Sequence, residues 1–291
     1  MGEKQRISGH TKVVALIGTP IEHSMSPAIH NLSFEKLGVD AAYVCLEVQP
    51  EYAKDAIEGM KKLGGFAGAN VTMPLKQTIL PYLDELSDSA ELIGAVNCLE
   101  FEGHKITGHN TDGIGFMEML RKEGVTIKGS TITLCGPGGA GSSILVQAAL
   151  DGAKEIFVFA RGGGHSYKDT EARIPRIVER TGCKISIHAL EDLEDYQACV
   201  AKSDIFINAT NVGMGEGCTD TPLPAEFIKD GMVVADAIYF PPKTQLLQDA
   251  EAKGCQAING KGMLLNQAAA GEKIWFGVDM PIDYVRETLD M

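Results

Sequence analysis

Apolar and polar positions alternate along this chain in the pattern of an α/β protein. Short runs rich in valine, isoleucine and phenylalanine recur, for example at residues 13–17, 131–135 and 155–159. Between such runs lie longer stretches with apolar residues every three or four positions, as at residues 51–63 and 142–150. The first pattern is typical of parallel strands buried on both faces, and the second is typical of helices that cover them. The alternation therefore predicts an α/β fold.

The first part of the chain forms its own series of predicted strands and helices. Strands are predicted at residues 13–18, 41–48 and 66–74, and helices at 28–37, 51–63 and 82–93. Two further runs, 95–101 and 105–109, are separated by Glu102-Gly103 and predict a hairpin. This series has no glycine-rich phosphate loop, so we interpret it as a separate α/β domain.

The second part is organised around a strand, a glycine-rich turn and a helix at residues 131–150. Gly136, Gly138 and Gly141 match the spacing G-x-G-x-x-G. Glycines at such a turn let a pyrophosphate approach the backbone, and the following helix start offers free N–H groups to it. The next predicted strand, 155–159, completes a βαβ unit. The context favours dinucleotide binding, although the turn could also be an ordinary strand-to-helix connection.

Composition narrows the possible function classes. The 291 residues suggest about two domains, and the net charge of −13 argues against partners such as nucleic acid or anionic membranes. The seven cysteines contain no C-x-x-C, and the seven histidines show no ligand spacing such as H-E-x-x-H, so no metal site is expected. The apolar run at residues 13–17 is too short for a signal segment or a membrane span, which makes the cytoplasm the expected location.

Four segments carry candidate chemistry: residues 23–27, residues 70–76, Asn97 and residues 110–113. Each lies at a predicted strand end or in a loop, where open α/β sheets bind their ligands. Their hydroxyls and amides, together with one lysine and one aspartate, suit a polyhydroxylated small molecule, because each buried hydroxyl needs a partner.

Two side chains in these segments could transfer a proton. Lys76 with Asp112 is a plausible acid/base pair. Structural roles are the alternative for each residue. Ser24 and Ser26 could cap the helix that begins at Pro27, Asp112 could be an ordinary turn residue, and Lys76 could be solvated.

These segments resemble those of the shikimate and quinate/shikimate dehydrogenases, in family order and over nearly the whole chain. The matching motifs are Ser24-Met-Ser-Pro27, Phe66-Ala-Gly-Ala-Asn-Val-Thr-Met-Pro-Leu-Lys76, Gly94-Ala-Val-Asn97, Asn110-Thr-Asp-Gly113, Gly136-Pro-Gly-Gly-Ala140, Asn208-Ala-Thr210, Tyr239, Gly260 and Met263-Leu-Leu-Asn-Gln267. The resemblance implies reversible hydride transfer between NAD(P)H and the C3 carbonyl of 3-dehydroshikimate.

The resemblance also implies domains and residue roles. Residues 1–112 with 262–291 would form the substrate domain, to which the C-terminal helices return, and residues 113–261 would form a Rossmann-type dinucleotide domain. Lys76 and Asp112 would be catalytic. The implied substrate-binding residues are Ser24, Ser26, Thr72, Asn97, Asp112, Tyr239 and Gln267. The implied cofactor-binding residues are Asp88, Gly136, Pro137, Gly138, Gly139, Ala140, Arg161, Ala237 and Gly260.

Departures from the family pattern leave the cofactor and the substrate open. Ala160-Arg161-Gly162 follows the second strand of the βαβ unit, so one arginine stands where NADP-type members carry two, and no acid stands there for the ribose of NAD. We expect NADP, with NAD possible. Phe240 replaces the usual asparagine after Tyr239, so quinate or an aminated analogue is an alternative substrate. A non-catalytic binding or regulatory protein of this fold is a further alternative, and a homodimer is possible.

Overall fold

The computed structural model describes residues 7–291, and the chain divides into two compact units. The first comprises the described chain up to Thr111 together with Leu265–Met291, and the second is Asp112–Leu264. The expected divisions, after residues 112 and 261, lie a few residues away in each case. The C-terminal segment belongs to the first unit, as the resemblance implied.

In the part of the chain that the structure describes, twelve strands form two sheets, one in each unit. In chain order they are β1 (Lys12–Gly18), β2 (Ala41–Glu47), β3 (Phe66–Val71), β4 (Glu85–Leu86), β5 (Cys98–Glu102), β6 (Lys105–His109), β7 (Thr131–Cys135), β8 (Glu155–Ala160), β9 (Lys184–Ala189), β10 (Ile205–Asn208), β11 (Val233–Asp236) and β12 (Gln256–Ile258).

Helices alternate with the strands along most of the described chain. In chain order they are α1 (Ser26–Leu37), α2 (Ala53–Lys62), α3 (Leu75–Thr78), α4 (Asp88–Ile93), α5 (Asp112–Lys122), α6 (Gly139–Leu150), α7 (His165–Thr181), α8 (Leu193–Lys202), α9 (Gln245–Ala252), α10 (Lys261–Phe276) and α11 (Ile282–Leu289). The unit boundary at Leu265 falls within α10.

The first unit contains a mixed six-stranded sheet with the order β2-β1-β3-β5-β6-β4. β1 is parallel to β2 and β3, whereas β5 runs antiparallel to β3 and β6. The predicted hairpin is therefore confirmed as β5 and β6. Gly103 lies in its turn with φ +65°, a left-handed conformation that glycine adopts without strain.

Strand β1 is apolar from Val14 to Ile17 because both of its faces are buried there. Ala15 and Ile17 pack in a cluster with Ile57 of α2. Val14 and Leu16 pack in a second cluster that contains aromatic side chains from α1 and α10. Successive side chains of a strand point to opposite faces, so an uninterrupted apolar run requires cover on both sides.

The second unit contains a six-stranded sheet with the order β12-β11-β10-β7-β8-β9, and all of its strand pairs are parallel. The chain starts this sheet at the central strand β7, extends it outwards to β9, and then crosses to β10 on the other side of β7. This is the doubly wound arrangement, in which ligands bind where the strand order reverses. The predicted Rossmann-type domain and the α/β class are confirmed.

Two local predictions were wrong. The predicted helix at 82–93 begins only at Asp88, because Glu85 and Leu86 pair with β6 as strand β4. The hydroxyl of Ser87 accepts a hydrogen bond from the Ala90 N–H at 3.3 Å and so starts α4 there. Asp112, which we interpreted as a turn residue, is the first residue of α5.

Membrane insertion can be assessed from helix length and polarity. Within residues 7–291, none of the helices combines the length and the apolar character that a transmembrane segment requires.

Candidate active site

The register of the first sheet places several candidate residues at one edge. Asn70 of β3 pairs with Cys98 of β5, and Cys98 pairs with His109 of β6. The end of β3, the start of β5 and the end of β6 therefore lie side by side. The segments that leave the sheet there contain Thr72, Lys76, Asn97 and residues 110–111, which the sequence analysis had selected from three separate places.

Asn97 is a central hydrogen-bonding residue at this edge. It is 3% exposed. Its amide nitrogen donates to the side-chain oxygen of Gln267 at 3.0 Å. Its side-chain oxygen accepts from the Thr111 N–H at 2.7 Å and from the Thr111 hydroxyl at 3.2 Å. These bonds fix the amide orientation and bring Asn97 and Gln267 together, as their implied shared role requires.

Lys76 is held by its backbone. It lies in α3, where its carbonyl accepts a hydrogen bond from the Val96 N–H at 2.8 Å. The preceding Leu75 is completely buried, while the Lys76 side chain is half-buried. The segment is therefore anchored on both sides of a side chain that can still reach a ligand. Asp112 follows Thr111 directly and is half-buried at the start of α5, in the second unit.

Ser24 and Ser26 do not cap α1 in the expected way. The N-cap position is Met25, which makes no side-chain capping bond. Instead, the Ser24 hydroxyl accepts a hydrogen bond from the Ser26 N–H at 3.2 Å. Both serines are half-buried.

Tyr43 orients two neighbours of this site, and the sequence analysis missed it. Its hydroxyl donates to the side-chain oxygen of Asn70 at 2.7 Å. Burial raises the pKa of Tyr43 far above its ordinary value, and a hydrogen bond from the Ser26 hydroxyl offsets part of that rise. Tyr43 therefore remains a neutral phenol. Tyr43 lies on β2, which is separated from β3 by β1 in the same sheet, so its contact with Asn70 becomes visible only in the folded structure.

Two further predicted substrate residues, Thr72 and Tyr239, and the predicted cofactor residue Asp88 occupy three different settings. Thr72 packs so closely on Gly18 that a Cβ at Gly18 would lie 2.4 Å from the Thr72 methyl group. Asp88 is exposed at the start of α4. Tyr239 belongs to the second unit and is 60% exposed in the segment after β11.

The second unit contains a groove of about 830 Å³ at the carboxyl ends of its central strands. It lies at the reversal of strand order between β7 and β10, where doubly wound sheets bind ligands. Predicted residues in its lining are Gly136, Pro137, Gly138, Gly139, Ala140 and Arg161. Further lining residues include Ser166, Thr210, Asn211, Val212 and Met214. Ala237 and Gly260 lie outside this lining and pack against each other.

The glycines of the β7–α6 turn are present for different structural reasons. Gly136 has φ +88°, and a Cβ there would lie 2.4 Å from the methyl carbon of Thr210. A Cβ on Gly141 would lie 2.0 Å from the Gly136 carbonyl oxygen. Nothing lies within 4 Å of a Cβ on Gly138 or Gly139. The outer glycines therefore permit close packing, while the middle ones expose backbone at the start of α6 to an anionic ligand.

A buried polar network fixes the loop that forms the other side of the groove. The side-chain oxygen of Asn208 accepts from the Thr210 N–H at 2.9 Å, and its amide nitrogen donates to Asp236 at 3.0 Å. Asp236 also accepts from the Thr244 hydroxyl at 2.7 Å. Burial raises the pKa of Asp236, and these donors offset part of the rise. Asn208 and Thr210 are in the recognised motif, but the motif alone did not place them against the glycine turn.

A carboxylate from a distant part of the chain borders the turn after β8. Glu191, which follows β9, accepts a hydrogen bond from the Gly162 N–H at 3.0 Å. This bond lowers the pKa of Glu191, and the charge of Arg161 adds to the effect. Glu191 is distant in sequence, and only the pairing of β8 with β9 brings it here.

A second arginine also contacts the start of α6. Arg173 of α7 donates to the Ser142 hydroxyl at 2.9 Å. The sequence analysis counted only Arg161 near the groove, because Arg173 lies a loop and about two helical turns further along the chain.

Comparisons with known proteins agree with this geometry. Residues 16–99 match the shikimate dehydrogenase substrate binding domain, and residues 260–289 match the shikimate 5'-dehydrogenase C-terminal domain. A shikimate dehydrogenase (NADP(+)) from Listeria monocytogenes serotype 4b is 44% identical over 286 residues, which cover 98% of each chain. The chain belongs to the shikimate dehydrogenase family.

Solved structures of the family have the same fold as this member. The crystal structure of shikimate 5-dehydrogenase from Listeria monocytogenes in complex with shikimate and NAD has a TM-score of 0.94 at 44% identity, covering 99% of each chain. Quinate dehydrogenase from Corynebacterium glutamicum in complex with NAD has a TM-score of 0.82 at 27% identity, covering 97% of this chain and 99% of that one. The family resemblance and the predicted class, an NADP- or NAD-dependent dehydrogenase, are confirmed.

Proposed function

We propose that this chain catalyses the reversible reduction of 3-dehydroshikimate to shikimate, with NADP as the preferred cofactor. The observation that carries the proposal is the edge of the first sheet, where Asn97 joins Gln267 and the segments of Thr72 and Lys76. A ring with several hydroxyls needs such a set of fixed amides and hydroxyls, because each buried hydroxyl must be paired.

Each side chain is assigned one role. Lys76 donates a proton to the carbonyl oxygen during reduction and takes it back from the hydroxyl during oxidation. Asp112 accepts hydrogen bonds from the substrate hydroxyls and is the second catalytic residue. Ser24 and Ser26 donate to the substrate carboxylate, while Thr72, Asn97 and Gln267 bind ring hydroxyls. Tyr239 completes the substrate-binding set.

The groove of the second unit fits a dinucleotide. Its exposed glycine backbone and the start of α6 suit a pyrophosphate, while Arg161 offers a positive charge at the end of β8. When bound, the cofactor supplies or accepts the hydride. We assign its phosphates to Gly136–Ala140, its ribose end to Arg161, and its nicotinamide end to Ala237, Gly260 and Asp88.

A panel of substrates and cofactors tests the proposal. The purified protein is assayed with shikimate and quinate, each with NADP⁺ and with NAD⁺, by following the absorbance of the reduced nicotinamide. We expect the highest kcat/KM for shikimate with NADP⁺. Turnover of neither substrate with either cofactor would contradict the proposal and favour a non-catalytic protein.

Quinate is the second candidate substrate, favoured by the structural similarity to a quinate dehydrogenase. A higher kcat/KM for quinate than for shikimate in the same panel would establish it. An aminated analogue of shikimate or quinate, added to the panel, tests the third possibility.

Replacing Ser24 with alanine should weaken shikimate binding by about 1–3 kcal/mol, the scale of one hydrogen bond to a charged group. Calorimetric titration of shikimate measures this change. The matched control is Ser8→Ala, an exposed serine remote in sequence, which should leave binding unchanged. If Ser24→Ala lowered the melting temperature but bound shikimate normally, the serine would have only a structural role.

The cofactor preference should depend on Arg161 and Glu191 in opposite directions. Arg161→Ala should raise KM for NADP and leave KM for NAD nearly unchanged, because only NADP has a 2′-phosphate. Glu191→Gln removes a neighbouring negative charge and should lower KM for NADP by about 2- to 5-fold, as expected for exposed charges. Ratios of kcat/KM for the two cofactors check both changes. A preference for NAD that neither variant alters would show that these side chains do not face the ribose.

The homodimer and the cytoplasmic location stay predictions. Sedimentation of the purified protein tests the first, and fractionation of cells that express it tests the second.

A further inference from the structure

A polar cluster unrelated to the groove chemistry lies between β9 and α8 of the second unit. It consists of the His188 imidazole, the Asp195 carboxylate and the Cys199 thiol. One potential ligand atom from each residue lies within 4.8 Å of the other two. Asp195 and Cys199 are one helical turn apart on α8, so both face β9 from the same side of the helix.

Asp195 contacts both of the other residues in this cluster. Its Oδ2 lies 2.5 Å from Nδ1 of His188, and its Oδ1 lies 3.6 Å from Sγ of Cys199. Zinc bonds of about 2.0–2.1 Å to nitrogen or oxygen and about 2.3 Å to sulfur place tetrahedral ligand atoms roughly 3.3–3.6 Å apart. Binding of an ion would therefore replace the direct contact between the imidazole and the carboxylate, whose two atoms would separate by about 1 Å.

The imidazole is already oriented for metal binding through Nδ1. Its other nitrogen, Nε2, lies 2.6 Å from the hydroxyl of Ser186. The ring stacks on Phe159 with a centroid distance of 5.0 Å and an interplanar angle of 21°. Metal-binding histidines commonly use the second ring nitrogen to donate to an oxygen, which fixes tautomer and orientation. Ser186 can accept that bond as readily as it can donate one.

The charges and the exposure of the three ligands also suit a divalent ion. Cys199 is 3% exposed, so its thiol is shielded from bulk solvent. Binding of an ion would replace the thiol proton and give two negative ligands against two positive charges. The Asp195 side chain is 39% exposed, so water can reach the remaining coordination position.

We propose that His188, Asp195 and Cys199 bind one Zn²⁺ ion per chain, with water as the fourth ligand. A mixed nitrogen, sulfur and carboxylate set favours zinc over magnesium or calcium, which prefer oxygen ligands alone. The sequence analysis expected no metal site because it considered only local spacing. Here one ligand comes from a strand and two from the following helix, and the ligands become neighbours only when α8 packs beside β9.

Cobalt serves as the spectroscopic probe for this site in the full-length, chelator-treated protein. Co²⁺ should bind at one equivalent per chain and give a thiolate-to-metal charge-transfer band in the near ultraviolet, which Zn²⁺ then removes by competition. Calorimetric titrations of Zn²⁺ in buffers of different ionisation enthalpy should show release of about one proton, from Cys199. Zinc should also raise the melting temperature, because it binds only the folded site.

Substitutions separate this site from adventitious binding. Cys199→Ser should abolish the charge-transfer band, and His188→Gln should weaken Zn²⁺ binding at least tenfold, the scale expected when a metal ligand or its support is lost. The exposed Asp195→Asn provides a further variant if either of these folds poorly. His165→Gln is the matched control, since His165 pairs with Asp169 at 3.3 Å on the surface of α7. Cys45→Ala controls for a half-buried thiol elsewhere.

Two results would overturn the proposal. The first is the absence of a saturable cobalt band at one equivalent in the wild-type protein. The second is a zinc affinity that is unchanged in the folded Cys199→Ser and His188→Gln variants. An equal loss of zinc affinity in the controls His165→Gln and Cys45→Ala would have the same meaning. Neither result depends on dehydrogenase activity, so this proposal can fail independently of the proposed function.

Discussion

Replacing Lys76 with alanine is expected to lower kcat for shikimate oxidation by about a hundredfold or more, with a smaller change in KM. General acid–base catalysis typically contributes about 10²- to 10⁴-fold, and loss of an interaction made only in the transition state lowers kcat rather than raising KM. The backbone on both sides of Lys76 is anchored independently of the side chain, through buried Leu75 and the bond from Val96. Steady-state kinetics at saturating cofactor measure the effect.

Lys76→Arg distinguishes proton transfer from a simple need for positive charge. Arginine keeps the charge but does not release its proton near neutral pH, so kcat should also fall strongly. Gln77→Ala is the control, because Gln77 is the exposed neighbour of Lys76 in α3. If the Lys76→Ala enzyme kept a near-normal kcat, Lys76 would not take part in the proton transfer. If the Lys76→Arg enzyme were active, the role of Lys76 would be purely electrostatic.

Glu272→Ala should be the most destabilising of these substitutions, at about 3–5 kcal/mol. Glu272 of α10 is completely buried and accepts from the Ser33 hydroxyl at 2.6 Å. It also pairs with Nδ1 of His30 at 2.8 Å. Removing the carboxylate leaves two buried polar groups without this partner. Loss of one member of a buried polar cluster destabilises a protein more than replacement of all its members by apolar groups. For a chain of this size the melting temperature should fall by roughly 10 °C.

The Glu272 cluster also supports the substrate site. Gln267 lies on the same helix and reaches Asn97, while Trp275 near its end donates to the Leu99 carbonyl at 2.9 Å. A loosened α10 should therefore raise KM for shikimate as well as lower stability. Glu272→Gln preserves the shape and one acceptor, so its effects should be smaller.

Asp279→Ala is the surface control for this substitution. Asp279 pairs with Lys273 at 2.9 Å, but its side chain is 90% exposed. Removal of an exposed partner of this kind changes stability by no more than about 0.5 kcal/mol. Thermal unfolding of the three variants makes the comparison. If the Glu272→Ala variant had the same melting temperature as the wild-type protein, this result would show that the buried cluster does not hold α10 in place.

Features encoded over a few adjacent residues were accessible from the sequence. The strand β7, the turn at Gly136–Gly141 and the helix α6 were predicted together, because hydrophobic run, glycine spacing and helix propensity are all local. The hairpin of β5 and β6 was equally local. Lys76 and Asn97 were selected because they lie at predicted strand ends or in loops, where open α/β sheets bind their ligands, and the family resemblance supplied their roles.

Features that depend on partners distant in the chain were not accessible. Glu85 and Leu86 have helical neighbours, and only the hydrogen bonds offered by β6 convert them to a strand. Glu191 borders the Gly162 turn because β8 and β9 pair in parallel, which no local pattern reveals. Tyr43 acts on Ser26 and Asn70 from a third segment of the chain.

By itself, the sequence determined the α/β class and the glycine-rich dinucleotide turn, since periodicity and motif spacing are properties of contiguous residues, and the family resemblance implied the dehydrogenase activity. Only the tertiary structure decided which side chains meet, as with Asn97 and Gln267 or Glu272 and His30. The physical reason is that hydrogen bonds and metal ligation act over about 3 Å. Residues far apart in the chain come that close only after sheets and helices have packed.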